Sequence, residues 1–287
     1  MVDWPKHLIE SIARRKAVII IGSGVSANCV DAQGNRPPTW SEFLERAAER
    51  LPKRTCSQIR PAIRGGNYLH ACEYLKNAHG QAWTALLKEF FHDPQYKPSE
   101  IHRHIFDLDA RIAISLNFDI IYDRYAMSNA DGTYFVKNYY DDDLGQIIGG
   151  SDRYLIKAHG SIDAPGRLIF TLQDYARARN FNGSFYKILD AILILNTVIM
   201  VGCGLNDPDI QSIFENNRFL FDSHSHYMIL PSGMHERQRM LFEESRGIKI
   251  LEYKRKGTDH TALTTALGEL VSLVEARREQ LAREFDW

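Results

Sequence analysis

Six short apolar runs, each stopping at a glycine or a small polar turn, govern what this chain can fold into. Ala17–Ile21 stops at Gly22-Ser23-Gly24, Arg111–Leu116 at Asn117-Phe118-Asp119, and Tyr154–Ala158 at His159-Gly160. Thr197–Val201 stops at Gly202-Cys203-Gly204, His226–Leu230 at Pro231-Ser232-Gly233, and Ile248–Tyr253 closes the series. Continuous Ile/Val runs of this length suit strands buried on both faces, as in a parallel sheet covered by helices. Helix-like periodicity separates the runs. The expectation is a doubly wound, Rossmann-like α/β domain with about six parallel strands, spanning residues 1–287 as one unit.

The stretch from 40 to 108 carries no strand signal. Thr39 or Ser41 offers an N-cap before Trp40–Leu44, and helical segments follow near 57–64, 67–78, 81–91 and 100–108, punctuated by Gly65, Gly66, Gly80 and Pro94. This reads as a helical insert covering one end of the strands. Residues 132–150 read as irregular, with a possible hairpin near Tyr134–Val136; Asp141, Asp142 and Asp143 read as a solvated loop, because adjacent carboxylates do not converge on one point. A last helix near 259–284 carries Leu263, Leu267, Leu270, Val274 and Leu281 at helical spacing, for packing on the sheet or on a neighbouring subunit.

Charge narrows the function classes. With 35 Lys and Arg against 36 Asp and Glu the net charge is −1, a balance that excludes bulk electrostatic binding of nucleic acid. The four cysteines, Cys29, Cys56, Cys72 and Cys203, form no C-x-x-C pair, so neither a zinc ribbon nor a redox motif is present, and free thiols suit a reducing compartment. The start of the chain is too polar for a signal peptide, and no apolar stretch approaches the roughly 20 residues needed to span a bilayer. The expected location is cytoplasmic, without membrane contact.

The polar turns coincide at one end of the sheet. In doubly wound sheets ligands bind beyond the carboxyl ends of the strands, where backbone N–H groups attract phosphate. Gly22, Ser23, Gly24 and Ser26 follow the first strand, Asn117 and Asp119 the second, and His159 the third. Gly202, Gly204, Asn206 and Asp207 follow the fourth. Singly, each has a plain reading: Asn117 suits a turn, Asp119 a helix N-cap, and Asp207 a cap before Pro208. Four such turns on consecutive core strands point to a site.

In order and spacing, Gly22–Ser26, Leu116–Asp119, Lys157–Ser161 and Val201–Pro208 resemble the motifs of the Sir2 (sirtuin-like) superfamily, and most of all its bacterial Sir2-like branch found in anti-phage defence. The resemblance covers about residues 15–255. It implies NAD as the substrate, with Gly22, Ser23, Gly24 and Ser26 holding the pyrophosphate and Gly202, Gly204 and Asn206 lining the adenosine half. It implies that Asn117 and Asp119 serve the nicotinamide side and its ribose, and that His159 is the catalytic histidine. Pro38–Trp40 resembles the exit of the family's cofactor loop, so Trp40 would flank the site or simply serve the core. The superfamily's deacylases carry a four-cysteine zinc module between the second and third of these motifs, whereas residues 118–158 here contain no cysteine. The expected activity is therefore NAD+ glycohydrolysis, conditionally activated and without a metal. A protein deacylase or ADP-ribosyltransferase, and a sensor subunit binding NAD or ADP-ribose without turnover, are the alternatives. By the same resemblance, control would come from homo-oligomerisation or a separate sensor or ATPase subunit, Argonaute-like or HerA-type, with the 40–108 and 259–284 helices as contact surfaces.

Overall fold

The computed structural model describes residues 2–204, 207–220, 226–255, 257 and 259–284, with the side chains of residues 219 and 220 left aside. Its centre is a parallel sheet of seven strands: β1 (Ala17–Ile21), β2 (Ile112–Ser115), β3 (Tyr134–Asn138), β4 (Arg153–Lys157), β5 (Thr197–Val201), β6 (His226–Pro231) and β7 (Ile248–Tyr253). Their order across the sheet is β3-β4-β2-β1-β5-β6-β7. The six strands expected from the apolar runs are all present. The seventh, β3, corrects the expected hairpin: Tyr134–Asn138 runs parallel to β4 as the edge strand.

Every residue of β1, β2 and β5 is buried, which explains their unbroken apolar sequences. Side chains alternate between two cores. On one face Ile19, Ile21 and Ala113 meet Leu8 and Ile12 of the Lys6–Ala13 helix, Ile101 and Ile105 of the Glu100–Asp107 helix, and the Leu263, Leu267, Leu270, Val274 and Leu281 stripe of the Thr261–Glu284 helix. On the other, Val18, Ile20 and Ile114 meet Tyr175 of the Leu172–Phe181 helix, Leu189 of the Gly183–Leu195 helix and Phe214 of the Pro208–Leu220 helix. Each buried Val, Leu, Ile or Phe side chain among these stabilises the fold by about 1.5–3 kcal/mol relative to exposure.

A third core positions the site. Phe43 and Leu44 of the Trp40–Glu49 helix, Ile59, Leu75, Trp83, Leu87 and Phe90 pack on Ile120, Ile162 and Phe170, which belong to the loops beyond β2 and β4. Thr39 starts this cap with a capping box: its backbone N–H donates 2.8 Å to the Glu42 carboxylate, and the Glu42 N–H donates back to Thr39 Oγ1. The helices between 40 and 91 thus sit over the carboxyl ends of the strands, while Glu100–Asp107 lies on a sheet face. No described helix is long and apolar enough to cross a membrane.

Candidate active site

Pairing aligns the strand ends. Ile21 lies opposite both Ser115 of β2 and Val201 of β5, and Ser115 lies opposite Lys157 of β4. The turns beginning at Gly22, Leu116, Ala158 and Gly202 therefore leave the sheet side by side. The chain runs from β1 to β2 on one side and returns to β5 on the other, so the order reverses beside β1, where a crevice opens.

The glycines at this point are needed by each other. Gly22 N–H donates to Val201 O (3.0 Å) and Gly24 N–H to Gly202 O (2.9 Å). A Cβ on Gly22 would stand 2.4 Å from Gly202 O, and one on Gly202, whose φ is +65°, would stand 2.5 Å from Val25 N. The two turns interlock at a distance only glycine permits. Ser23 and Gly24 still face the groove beside them, as do Gly202 and Gly204. Asn206 lies outside the described residues.

Ser26 ties this turn to the next one. Its hydroxyl donates to Asp119 Oδ2 (2.7 Å) and accepts from Asn117 Nδ2 (3.1 Å). The Asn117 N–H donates to Ser115 Oγ (3.1 Å), and Asp119 Oδ1 accepts from Ile121 N–H (3.1 Å) at the start of the Ile121–Asn129 helix. The N-cap of that helix is Ile120 rather than Asp119, whose Oδ1 holds the Ile121 N–H from one residue earlier while its other oxygen faces Ser26. Below, the fully buried Lys157 ammonium donates to the Asp119 backbone carbonyl and to Asp123 Oδ1 (3.0 Å). Burial pushes the Asp123 carboxyl up, and Lys157 works against that rise.

Ser26, Asn117 and Asp119 border a cavity of about 150 Å³ otherwise walled by Trp40, Phe43, Phe91, Phe118 and Phe170. The rings brace one another, with centroids 4.8 Å apart for Trp40 and Phe170, 4.9 Å for Phe91 and Phe118, and 5.1 Å for Phe118 and Phe170. Through Ser23, Gly24, Ala27, Pro37 and Thr39 it adjoins a groove of about 1400 Å³ that reaches Leu230, Pro231 and Tyr253 at the ends of β6 and β7. Trp40 was legible as a flanking residue. The phenylalanine wall was not, because Phe43, Phe91 and Phe170 sit in segments whose pattern signals only a core.

His159 lines neither cavity. Its Nδ1 meets Leu116 O at 2.9 Å and its Nε2 meets Asp207 Oδ2 at 2.9 Å. The Tyr175 hydroxyl donates to that same Asp207 oxygen, and Asp207 Oδ1 accepts from Ile210 N–H (2.8 Å), capping the Pro208–Leu220 helix. Burial pulls the imidazole down, yet the Asp207 carboxylate and the Leu116 carbonyl outweigh it and hold its pKa above the ordinary value. Burial likewise pushes Asp207 up, and His159 and Tyr175 overcome this to hold it at about 2. Both partners of the ring are acceptors, an arrangement that favours the doubly protonated ring. To accept a proton, as expected of it, the ring must first release one.

Residues 111–251 match the SIR2-like domain family. The likeness to that family covers just under half of the chain. Asn117, Asp119, His159, Gly202, Gly204 and Asp207 fall within the match, and the Gly22–Ser26 turn precedes it. Over 224 residues the chain is 22% identical to the NAD(+) hydrolase ThsA of Cytobacillus dafuensis. That alignment covers 77% of this chain and 42% of the relative, so the chain spans less than half the relative's length.

The strand ends therefore present two polar groups: Ser26–Asn117–Asp119 at the aromatic cavity, and His159–Asp207–Tyr175 beside it. They are joined through the Leu116–Asn117 peptide, whose carbonyl holds His159 and whose side chain holds Ser26. Among the described residues no three His, Cys, Asp or Glu side chains gather as a metal-holding group. Asp207 is marked in the sequence by its place in the turn after β5 as well as by a capping role, and Tyr175 by neither, since one tyrosine on an amphipathic helix reads as core.

Proposed function

We propose that the chain binds NAD+ across the carboxyl ends of the sheet and hydrolyses its nicotinamide–ribose bond, giving nicotinamide and ADP-ribose. The observation that carries this reading is the junction of a ring-sized aromatic cavity, bordered by Ser26, Asn117 and Asp119, with a long groove beside the interlocked glycine turns. A cavity of about 150 Å³ is of the size that accepts a benzene-sized ring, which suits nicotinamide, and the groove of about 1400 Å³ has room for the ADP-ribose part. The likeness to an NAD(+) hydrolase at 22% identity points the same way.

In the reaction, the bond between C1′ and the nicotinamide nitrogen breaks with its electron pair going to nicotinamide, through an oxocarbenium-like state. Asp119 stabilises the developing positive charge or holds the carboxamide, and Asn117 positions the ribose hydroxyls or the water. The water oxygen bonds to C1′, and its proton passes by relay, since the ring lines neither cavity, to the neutral form of His159 and then to solvent. Unrestrained NAD+ loss is toxic, so we place this activity under control by assembly, either self-association or a separate sensor or ATPase subunit of the Argonaute-like or HerA type. The helices within 40–108 and the 259–284 helix supply the contact surfaces in this reading. The setting we propose is anti-phage defence by NAD+ depletion.

The test measures nicotinamide and ADP-ribose by chromatography, with the chain alone and co-purified with its genomic neighbours. Wild type should consume NAD+ in at least one of these states, and Asn117→Ala and His159→Ala should each nearly abolish it without unfolding. NAD+ loss at the wild-type rate in both variants would overturn the assignment, and product formed only with an acyl-peptide would favour a deacylase.

A further inference from the structure

Three separate elements meet at His159. Asp207 comes from the turn after β5, Tyr175 from the Leu172–Phe181 helix, and the Leu116 carbonyl from the end of β2. The His159 and Asp207 side chains are 13% and 8% exposed, so their 2.9 Å contact is shielded from solvent. Behind them stands a second carboxylate, Asp209. It accepts from Arg179 Nε (2.7 Å) and from the Tyr186 hydroxyl (2.8 Å), and the Arg179 guanidinium lies 5.9 Å from the Tyr175 ring centre. The charge of Asp209 is thereby matched by Arg179, whereas that of Asp207 is matched by the imidazole.

One oxygen of Asp207 is shared. Oδ2 accepts both from His159 Nε2 and from the Tyr175 hydroxyl, which itself lies 3.4 Å from Nε2. The ring is also packed edge-on against Tyr175, at 5.6 Å between centroids and 73°. Contacts on both nitrogens and on the ring edge fix the imidazole in position and orientation.

We propose that Asp207 and Tyr175 are positioning residues for His159: Asp207 clamps the ring and keeps its proton on, and Tyr175 weakens that clamp by sharing the same carboxylate oxygen. The catalytic consequence rests on the NAD+ hydrolase reading, in which His159 must shed a proton before it can take one from water. Hydrolysis then rises with pH as His159 deprotonates. Withdrawing the Asp207 charge lets the ring lose its proton at lower pH. Withdrawing the Tyr175 hydroxyl leaves more of the Asp207 charge for the ring, which keeps its proton to higher pH. The two substitutions act in opposite directions, which loosened packing alone would not produce.

The test uses the full chain with isotope-labelled histidine, following the imidazole signals by NMR as pH is raised. The His159 signal is assigned by its loss in His159→Gln. In Asp207→Asn its midpoint should fall by about 1 unit or more, the scale of losing an adjacent opposite charge. In Tyr175→Phe it should rise. An unmoved midpoint in Tyr175→Phe, or a shift of both folded variants in the same direction, overturns the clamp, and Tyr175→Phe decides alone if Asp207→Asn does not fold. NAD+ hydrolysis against pH is read in parallel: an acid limb that follows each NMR midpoint supports the catalytic consequence, and one that ignores it overturns it. If the wild type hydrolyses no NAD+ in any assembly, the hydrolase reading fails, while the NMR midpoints still decide the clamp.

Discussion

Ser26 Oγ and Asp119 Oδ2 lie 2.7 Å apart, a hydrogen bond that joins the turn after β1 to the loop after β2 across 93 residues of chain. Because the same hydroxyl accepts from Asn117, it orients both candidate site residues at once. Its loss leaves a buried amide donor and a carboxylate each short of a partner, which costs about 1–3 kcal/mol. Ser26→Ala should lower stability by that amount in urea titration and reduce NAD+ hydrolysis about 100-fold, as small misplacements do. Ser26→Thr, which keeps the hydroxyl, should recover part of both. An alanine variant with wild-type turnover would remove Ser26 from the site.

The interlock of the glycine turns gives a sharper steric test. Gly202→Ala puts a Cβ 2.5 Å from Val25 N at a φ of +65°, where backbone strain alone costs about 1–3 kcal/mol and the clash adds to it. Gly145→Ala meets nothing within 4 Å. Thermal melting should show Gly202→Ala strongly destabilised or insoluble, and Gly145→Ala within about 0.5 kcal/mol of wild type. Equal melting temperatures for the two would mean that the turns yield far more readily than their contacts indicate.

These cases mark what the sequence makes legible. The strands β1, β2, β4, β5 and most of β6 are readable because burial on both faces demands unbroken apolar residues, and β7 is readable from its alternating buried Ile248 and Ile250 beside the exposed Lys249. β3 is not, because Phe135 is exposed at the sheet edge and the run ends in Lys137 and Asn138, so it shows no such demand. The strand-end positions of Asn117, Asp119 and His159 follow from their own neighbours in sequence. Their partners do not: Ser26–Asp119 and His159–Asp207 depend on which strands lie side by side, and Tyr175 reaches Asp207 from a helix whose pattern records only its apolar face. The glycine turns were legible as special but not for their reason, since the Cβ each lacks would strike the other turn.

Two histidines give opposite pH dependences. Burial holds His102 at about 4, below its ordinary 6.5, with Nδ1 accepting from the Ser99 N–H (3.2 Å) and Nε2 3.6 Å from Cys29 Sγ. The stability present above pH 6.5 is therefore lost as pH falls toward 4, by an amount on the order of 3 kcal/mol. His159, whose pKa is raised, contributes stability that is complete below pH 6.5 and is lost as pH rises through its folded value. Denaturation between pH 4 and 8 should show the acid-side loss flattened in His102→Gln and the alkaline-side loss flattened in Asp207→Asn. A slope on the acid side that survives His102→Gln would assign that loss to other groups.

Lys157 separates the fold from the site. Its ammonium is fully buried against Asp123 and the Asp119 carbonyl, so Lys157→Met strands the Asp123 charge and should cost about 3–5 kcal/mol. Asp123→Asn in the same chain removes that charge, and the double variant should regain much of the loss in chemical denaturation. The Asp119 carbonyl loses the Lys157 ammonium in the double variant, and methionine offers it no donor in return. NAD+ affinity measured by calorimetry should therefore stay weak while stability returns. Recovery of both together would mean that Lys157 acts on Asp123 alone and that the loop bearing Asn117 and Asp119 is held by Ser26 and the Ile121–Asn129 helix.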